Sequence, residues 1–331
     1  LHHQSVAQFK GLFGLQSTDR QFSASGEEAF IEPVDTQSNA LFWLGERNVE
    51  AGTIEAGVRF ESVDMTPKGI MPNRSFESGS ASLGYVHNLN DTTTLSVLLD
   101  YSSRAPSIEE LYSNGPHLAT QTFDIGSVDL GEETATSLSF TANWDWQAIS
   151  ATTTLYYNDF GDFIYQSATG DEDDELPVFV YQQDDARFYG IDFAATIDLG
   201  LFVGGELAGR VLLDSVNAKI DNGETNQNLP RIPSNRVGLG LSWKTDTWSV
   251  IGDFLHVDAQ NKVADFELPT AGYQDVSLSV NRNLVLGTTD VQLFLKGKNL
   301  TNDEQRYHAS FVKDFAPAPA RSIEAGVRME F

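Results

Sequence analysis

Apolar and polar residues alternate one for one along most of this chain. That is the period of a strand whose two faces meet different surroundings. From Ile323 to Phe331 the order places Ile323, Ala325, Val327, Met329 and Phe331 on one face, and Glu324, Gly326, Arg328 and Glu330 on the other. Residues 54–61 (IEAGVRFE) repeat this alternation almost letter for letter. The same pattern sets Val237, Leu239, Leu241 and Trp243 against Gly238, Gly240, Ser242 and Lys244. It sets Phe193 against Asp192, and Leu138, Phe140 and Trp144 against Ser139, Thr141 and Asn143. A helical period is not sustained anywhere; Ile108–Tyr112 reads as one helical turn after Pro106.

Fourteen strands are expected, at about 7–17, 36–46, 53–63, 74–88, 92–103, 132–146, 150–166, 178–200, 203–217, 233–245, 247–258, 272–284, 289–300 and 322–331. Their connections fall into two classes. Short ones, such as Leu89–Asp91, Gln147–Ile149 and Lys244–Thr247, alternate with long ones at about 18–35, 64–73, 104–131, 167–177, 218–232, 259–271 and 301–321. Strict alternation of this kind marks an all-β, antiparallel up-and-down transmembrane barrel, with short turns at the periplasm and long loops outside. All eleven prolines lie in the long connections or at their edges, as suits a residue that cannot donate to a ladder. Trp144, Trp146, Trp243 and Trp248 bracket two short turns and Trp43 approaches a third, the layout of an interfacial aromatic girdle. A soluble sandwich or propeller also alternates, but needs neither two loop classes nor tryptophans gathered at one end.

Composition narrows the choice. The 331 residues carry 21 Lys and Arg against 47 Asp and Glu, a net charge of −26. Phosphate binding needs clustered positive charge, so nucleic acid is excluded as a partner. No cysteine is present, so there are no disulfides and no thiolate ligands. Mean hydropathy is −0.25 and no run of 18 apolar residues occurs, which excludes transmembrane helices and leaves a barrel open. Leu1-His2-His3-Gln4 has no features of a signal peptide, and the chain is expected to start inside a longer protein. No hydrolase elbow, Walker loop, zincin motif or dinucleotide fingerprint is present, and no Ser/His/acid set assembles, so an enzyme is not expected. His256 reads as a mid-barrel histidine without an obvious partner.

The candidate chemistry lies in the long loops. Arg59, Glu61, Asp192, Asp198, Arg210 and Asp214 read as solvated lumen residues. The run Asp171–Glu175 would attract cations diffusely. His117, behind Gly115-Pro116 in the longest loop, and Glu27 and Glu28 in the first loop offer the imidazole and carboxylates that suit zinc. These three are the expected metal ligands. Each has a plain alternative as an ordinary polar loop residue. His308 is a weaker candidate, and His87 lies beside a short turn on the wrong side for capture.

Several segments resemble the TonB-dependent outer-membrane receptors. Tyr101-Ser-Ser-Arg104-Ala-Pro106-Ser-Ile-Glu109-Glu110-Leu111-Tyr112 resembles their R-x-P-x-x-x-E-L-Y stretch. Asp124-Ile-Gly126 with Leu130-Gly-Glu132-Glu133-Thr134 resembles G-N-P-x-L-x-x-E-x-S, with Ser127-Val128 in place of Asn-Pro. Lys298-Asn299-Leu300-Thr301-Asn302 resembles the penultimate strand end, and Phe331 the terminal aromatic read by the barrel-assembly machinery. Phe22–Ala29, Asn114–Thr120 and His308–Pro317 are similar to the zinc-uptake branch. The resemblance implies that residues 1–331 are the C-terminal part of a 22-stranded barrel whose N-terminal plug and remaining strands lie elsewhere. It implies an outer-membrane receptor in lipid, acting as a monomer, for a scarce metal or metal chelate. The plug would couple to the TonB complex, and zinc would be cargo, with no resident cofactor. The alternative function is a passive channel of about fourteen strands.

Overall fold

The structure, a computed structural model, describes residues 2–6, 8–26 and 29–330. Along the chain come β1 (His2–Val6), β2 (Phe9–Phe22), β3 (Val34–Val49), β4 (Gly52–Pro67), β5 (Arg74–Asn90) and β6 (Thr93–Arg104). The helix α1 (Ile108–Tyr112) and the short strands β7 (Asn114–His117) and β8 (Thr122–Ile125) follow. Then come β9 (Glu133–Trp146), β10 (Ile149–Asp173), β11 (Leu176–Phe202), β12 (Gly205–Asp221), β13 (Arg236–Lys244), β14 (Trp248–Val257), β15 (Tyr273–Leu286), β16 (Thr289–Lys298) and β17 (Ser322–Glu330). Apart from β7 and β8, each strand pairs antiparallel with the next, β6 passing directly to β9. The result is one continuous meander.

All fourteen expected strands are present, and α1 spans the expected turn. Three elements are additional: β1, and the β7–β8 hairpin inside the longest loop. The expected loop at 167–177 is not a loop. β10 and β11 run on through it and turn at Asp174-Glu175. Both turn residues are left-handed, at φ 48° and 66°, as a two-residue hairpin turn demands. The acidic run is therefore the tip of a long ribbon. Its Pro177, the second residue of β11, pairs with Glu172 near the tip, and neither it nor the turn supplied a helical or apolar break to read. Phe331 lies outside the described residues.

The register fixes two faces. Phe13, Trp43 and Val58 stand in line across β2–β4, and Phe193, Leu213 and Val237 across β11–β13. Ile323 and Val327 on β17, 69% and 56% exposed, align with Gly297 and Leu293. A belt of exposed and half-buried apolar side chains is what a hydrocarbon solvent requires. The opposite face is polar. Thr141, Thr154, Asp192, Asp214 and Arg236 line up across five strands, with Arg236 Nε 2.8 Å from Asp214 Oδ1. Gly240 shares this face, because a Cβ there would meet Asp253 and Arg210, which pair at 2.6 Å. Glu324 and Arg328 lie on it too, aligned with Lys296 and Gln292. A cavity of about 760 Å³ runs along this stretch of wall, with Asn143, Thr152, Arg210, Gly240 and Asp253 in its lining. Of the expected lumen charges, Arg210 and Asp214 sit in ion pairs and Arg59 meets Glu61 at 3.0 Å, while Asp192 lies in register with Asp214 and Asp198 accepts the Gly200 amide.

Apolar packing of the soluble-protein kind gathers above the wall, at the long-loop end. Ile31, Met65, Phe76, Leu111, Tyr112 and Leu130 form one cluster. Tyr165, Ala186, Ile220 and Leu229 form another. These clusters hold the long loops in place.

Candidate functional site

The longest connection, between β6 and β9, is fastened at its base. Arg104 donates to Glu110 at 2.9 and 3.1 Å and to Glu133 at 2.9 Å through two nitrogens. Glu110 also closes a capping box on α1, accepting from the Ser107 amide while Ser107 Oγ accepts from the Glu110 amide. Glu133 accepts the Ile164 amide of β10 at 2.8 Å. Gly126 is pressed against the end of α1; a Cβ would lie 2.7 Å from Leu111 C and 2.8 Å from the Tyr112 and Ser113 nitrogens. The Arg104–Tyr112 and Asp124–Thr134 motifs are thus two halves of one clasp.

The clasp presents β7 and β8. β8 adds in parallel to Val178–Val180 of β11, which anchors the hairpin to the ribbon. His117 ends β7. Its Nδ1 lies 3.1 Å from Oδ2 of Asp124, which is buried and takes a second bond from Thr122 Oγ1 at 2.7 Å. An imidazole donating from Nδ1 to a carboxylate holds its Nε2 lone pair outward, the orientation in which histidine ligates metals. Among the described residues, Nε2 has no hydrogen-bond partner. The ring stacks on Phe30, centroids 4.5 Å apart at 18°. The Asn114 amide donates to Phe30 O at 2.7 Å, so the first and longest loops meet at His117. Glu27 and Glu28 lie outside the described residues. Among the described residues no three His, Asp or Glu side chains converge as a metal site.

The other histidines are placed differently. His256 is at the loop end of β14, not mid-barrel, with Nε2 3.3 Å from Asp258. The parity of β14 was legible, but not how near its end the residue falls. His87 contacts Tyr85 beside a short turn. His308 is buried in the last loop, where Nδ1 meets Thr270 Oγ1 at 3.0 Å and Nε2 stands 3.2 Å from Glu267 Oε1. Glu267 also accepts the amides of Arg231 and Ala264. Burial pushes its carboxyl up, but His308 and the two amides outweigh it and hold it below the usual range. Lys313 Nζ closes the same knot on Leu268 O at 2.6 Å. The last three long loops are joined through these contacts.

Arg231, Tyr181 and Asp124 act on one another electrostatically. Burial pushes the Tyr181 phenol up to about 12, with Asp124 and Glu110 adding to the rise and Arg231 opposing it. Sequence reading passed over Asp124, Phe30, Arg231 and Tyr181. Only Asp124, inside a quoted motif seven residues from His117, carried a local signal.

An antiparallel meander with an apolar belt, an opposite polar face and knotted long loops defines an outer-membrane barrel wall. The profile of the "TonB dependent receptor-like, beta-barrel" family matches residues 4–300, and the chain belongs to that family. Its place is the outer membrane of a Gram-negative bacterium. Among solved structures it is similar to "Copper transporter OprC", with TM-score 0.77, 19% identity, and 98% of this chain and 54% of that chain covered. It is similar to the FrpB iron transporter from Neisseria meningitidis, with TM-score 0.72, 13% identity, and 98% and 53% covered. It is also similar to the ferric citrate transporter FecA, with TM-score 0.71, 17% identity, and 98% and 52% covered. The chain spans about half the length of these structures.

Proposed function

We propose that residues 1–331 form the C-terminal wall and part of the outer mouth of a TonB-dependent receptor that imports a scarce metal, as zinc or as a metal chelate. The reading rests on His117, whose Nδ1 is held by Asp124, whose Nε2 has no hydrogen-bond partner among the described residues, and whose ring stacks on Phe30 where two loops meet. Glu27 and Glu28 belong to the same first loop as Phe30 and supply the carboxylates of the proposed site. Copper, iron and ferric citrate, named for the similar structures, are of the proposed cargo class. Capture at the loops would precede passage through the lumen, driven by TonB through a plug carried outside these residues. Phe331 would direct assembly, and the receptor would act in lipid as a monomer, without catalysis and with zinc as cargo only. The test is metal accumulation by cells with and without the full-length gene, in TonB-competent and TonB-deficient backgrounds. The proposal requires accumulation that needs both; accumulation unaffected by TonB loss favours a passive channel.

A further inference from the structure

Apolar side chains are exposed far from the wall. Phe266 and Leu268, in the connection between β14 and β15, are 72% and 59% exposed. Phe266 sits against Gly170 of β10, where a Cβ would lie 2.7 Å from Phe266 Cε1. β10 leaves β9 at the pair Gly161–Thr134, so this contact stands nine residues farther along the ribbon. That is about 30 Å of strand at roughly 3.3 Å per residue. The apolar belt lies on the paired wall below, so lipid does not account for the exposure. Both residues of the contact are left-handed, with φ 61° at Phe266 and 83° at Gly170. A bulky side chain rarely holds that conformation, and strain of this kind gathers at functional positions.

The support beneath is fixed and turns its cation inward. Glu267, between the two apolar residues, holds the Arg231 and Ala264 amides and meets His308. Lys313 of the last loop is 4% exposed and donates to Leu268 O at 2.6 Å, while Phe311 and Phe315 beside it are exposed. The outward charge is acidic. Asp171–Glu175 follow Gly170 directly, Asp265 precedes Phe266 and Asp314 follows Lys313, and all are exposed. An exposed apolar patch rimmed by charge marks an interaction surface. Its complement brings apolar side chains for affinity and positive charge to steer the approach. Lys or Arg also stacks favourably on an open Phe ring. We propose that Phe266, Leu268 and the acidic ribbon tip form a docking surface for a cationic polypeptide of the external medium, one that presents Lys or Arg beside Trp, Phe or Leu. A second copy of this chain, at −26, would be repelled, and a bare cation has no use for the apolar side chains. The inference goes beyond the cargo reading and does not depend on it.

The experiment uses the full-length receptor in nanodiscs, with empty nanodiscs as the blank. Three soluble heptapeptides are titrated: one alternating Lys or Arg with Trp or Phe, one with Ser in place of the aromatics, and one with Glu in place of the cations. The receptors are wild type, Phe266→Asn with Leu268→Ser, Glu172→Gln with Asp173→Asn, and Arg187→Gln. Asparagine tolerates left-handed backbone, so the first variant should keep the turn, and heat-modifiable mobility checks folding. Wild type should bind the basic aromatic peptide at least about tenfold more tightly than either counterpart, and the apolar variant should lose about tenfold. The tip variant should lose about threefold at low salt and match wild type at high salt. If the apolar variant does not fold, Phe266→Asn alone decides, with a loss of about threefold. Arg187→Gln should bind like wild type. Equal binding of the basic aromatic and serine peptides means diffuse attraction of cations and overturns the inference. Binding unchanged in the apolar variant, equal binding of the glutamate peptide, or no binding to wild type overturns it too. TonB-dependent metal accumulation tests the receptor reading separately from all of these outcomes.

Discussion

Arg104→Gln should loosen the longest loop without dissolving the wall. Arg104 makes four charge-assisted contacts to Glu110 and Glu133, whose side chains are 15% and 9% exposed. Removing one partner of a buried pair costs about 3–5 kcal/mol. Arg104 is itself 43% exposed, so solvent screens part of this, and Glu133 keeps the Ile164 amide. About 2–3 kcal/mol is therefore expected for local opening. That is about 30- to 140-fold in the opening equilibrium, at roughly 1.4 kcal/mol per tenfold. Hydrogen exchange of the full-length receptor, read on peptides covering residues 105–132 and 164, measures it. The more exposed comparison is Arg187→Gln, whose pair with Asp159 is 62% and 56% exposed and should contribute at most about 1 kcal/mol. If Arg104→Gln changes exchange in 105–132 no more than Arg187→Gln does, the clasp does not hold the loop.

Other outcomes follow from the same contacts. Gly126→Ala drives a Cβ into the α1 backbone and should speed proteolysis of 105–132, at a cost of about 1–3 kcal/mol. Glu267 has a depressed carboxyl, so its contribution is complete above the unfolded value of about 4.3 and is lost as pH falls through the lower folded value. Pepsin cleavage after Phe266 and Leu268 should thus accelerate below about pH 4, and Glu267→Gln should flatten that dependence. Val203, exposed at the β11–β12 turn with φ 46°, should be improved by Asn, raising thermal stability by about 1 kcal/mol in an unfolding assay.

The wall was legible because a strand between lipid and water must alternate, and every residue reports its face. Phe193 and Asp192 each declare a side without knowledge of their neighbours. The ribbon tip was not, because Asp171–Glu175 reads as a polar loop while its hydrogen bonds come from the backbone and are blind to side-chain polarity. The β7–β8 hairpin was hidden for a related reason: Asn-Gly-Pro-His has no strand pattern, and its order comes from the clasp beneath and from β11 beside it. His117 was legible by residue type and loop position. Its partner Asp124 and its stack on Phe30 depend on loops distant in sequence. Motif residues also have structural work that sequence similarity does not reveal. Asn299, at φ 47°, ties the last loop by bonding Asp303 and Pro319 carbonyls.

Zinc titration of the purified full-length receptor, comparing wild type, His117→Ala and Glu172→Ala at low and moderate salt, tests the proposed site most directly. Losing the ligand itself should weaken binding by at least the roughly 10- to 100-fold typical of removing a ligand's supporting partner. The Glu172 variant, altered only in the exposed ribbon tip, should change affinity slightly and only at low salt. Equal affinity for wild type and His117→Ala, or a loss confined to Glu172→Ala and abolished by salt, would contradict coordination at His117.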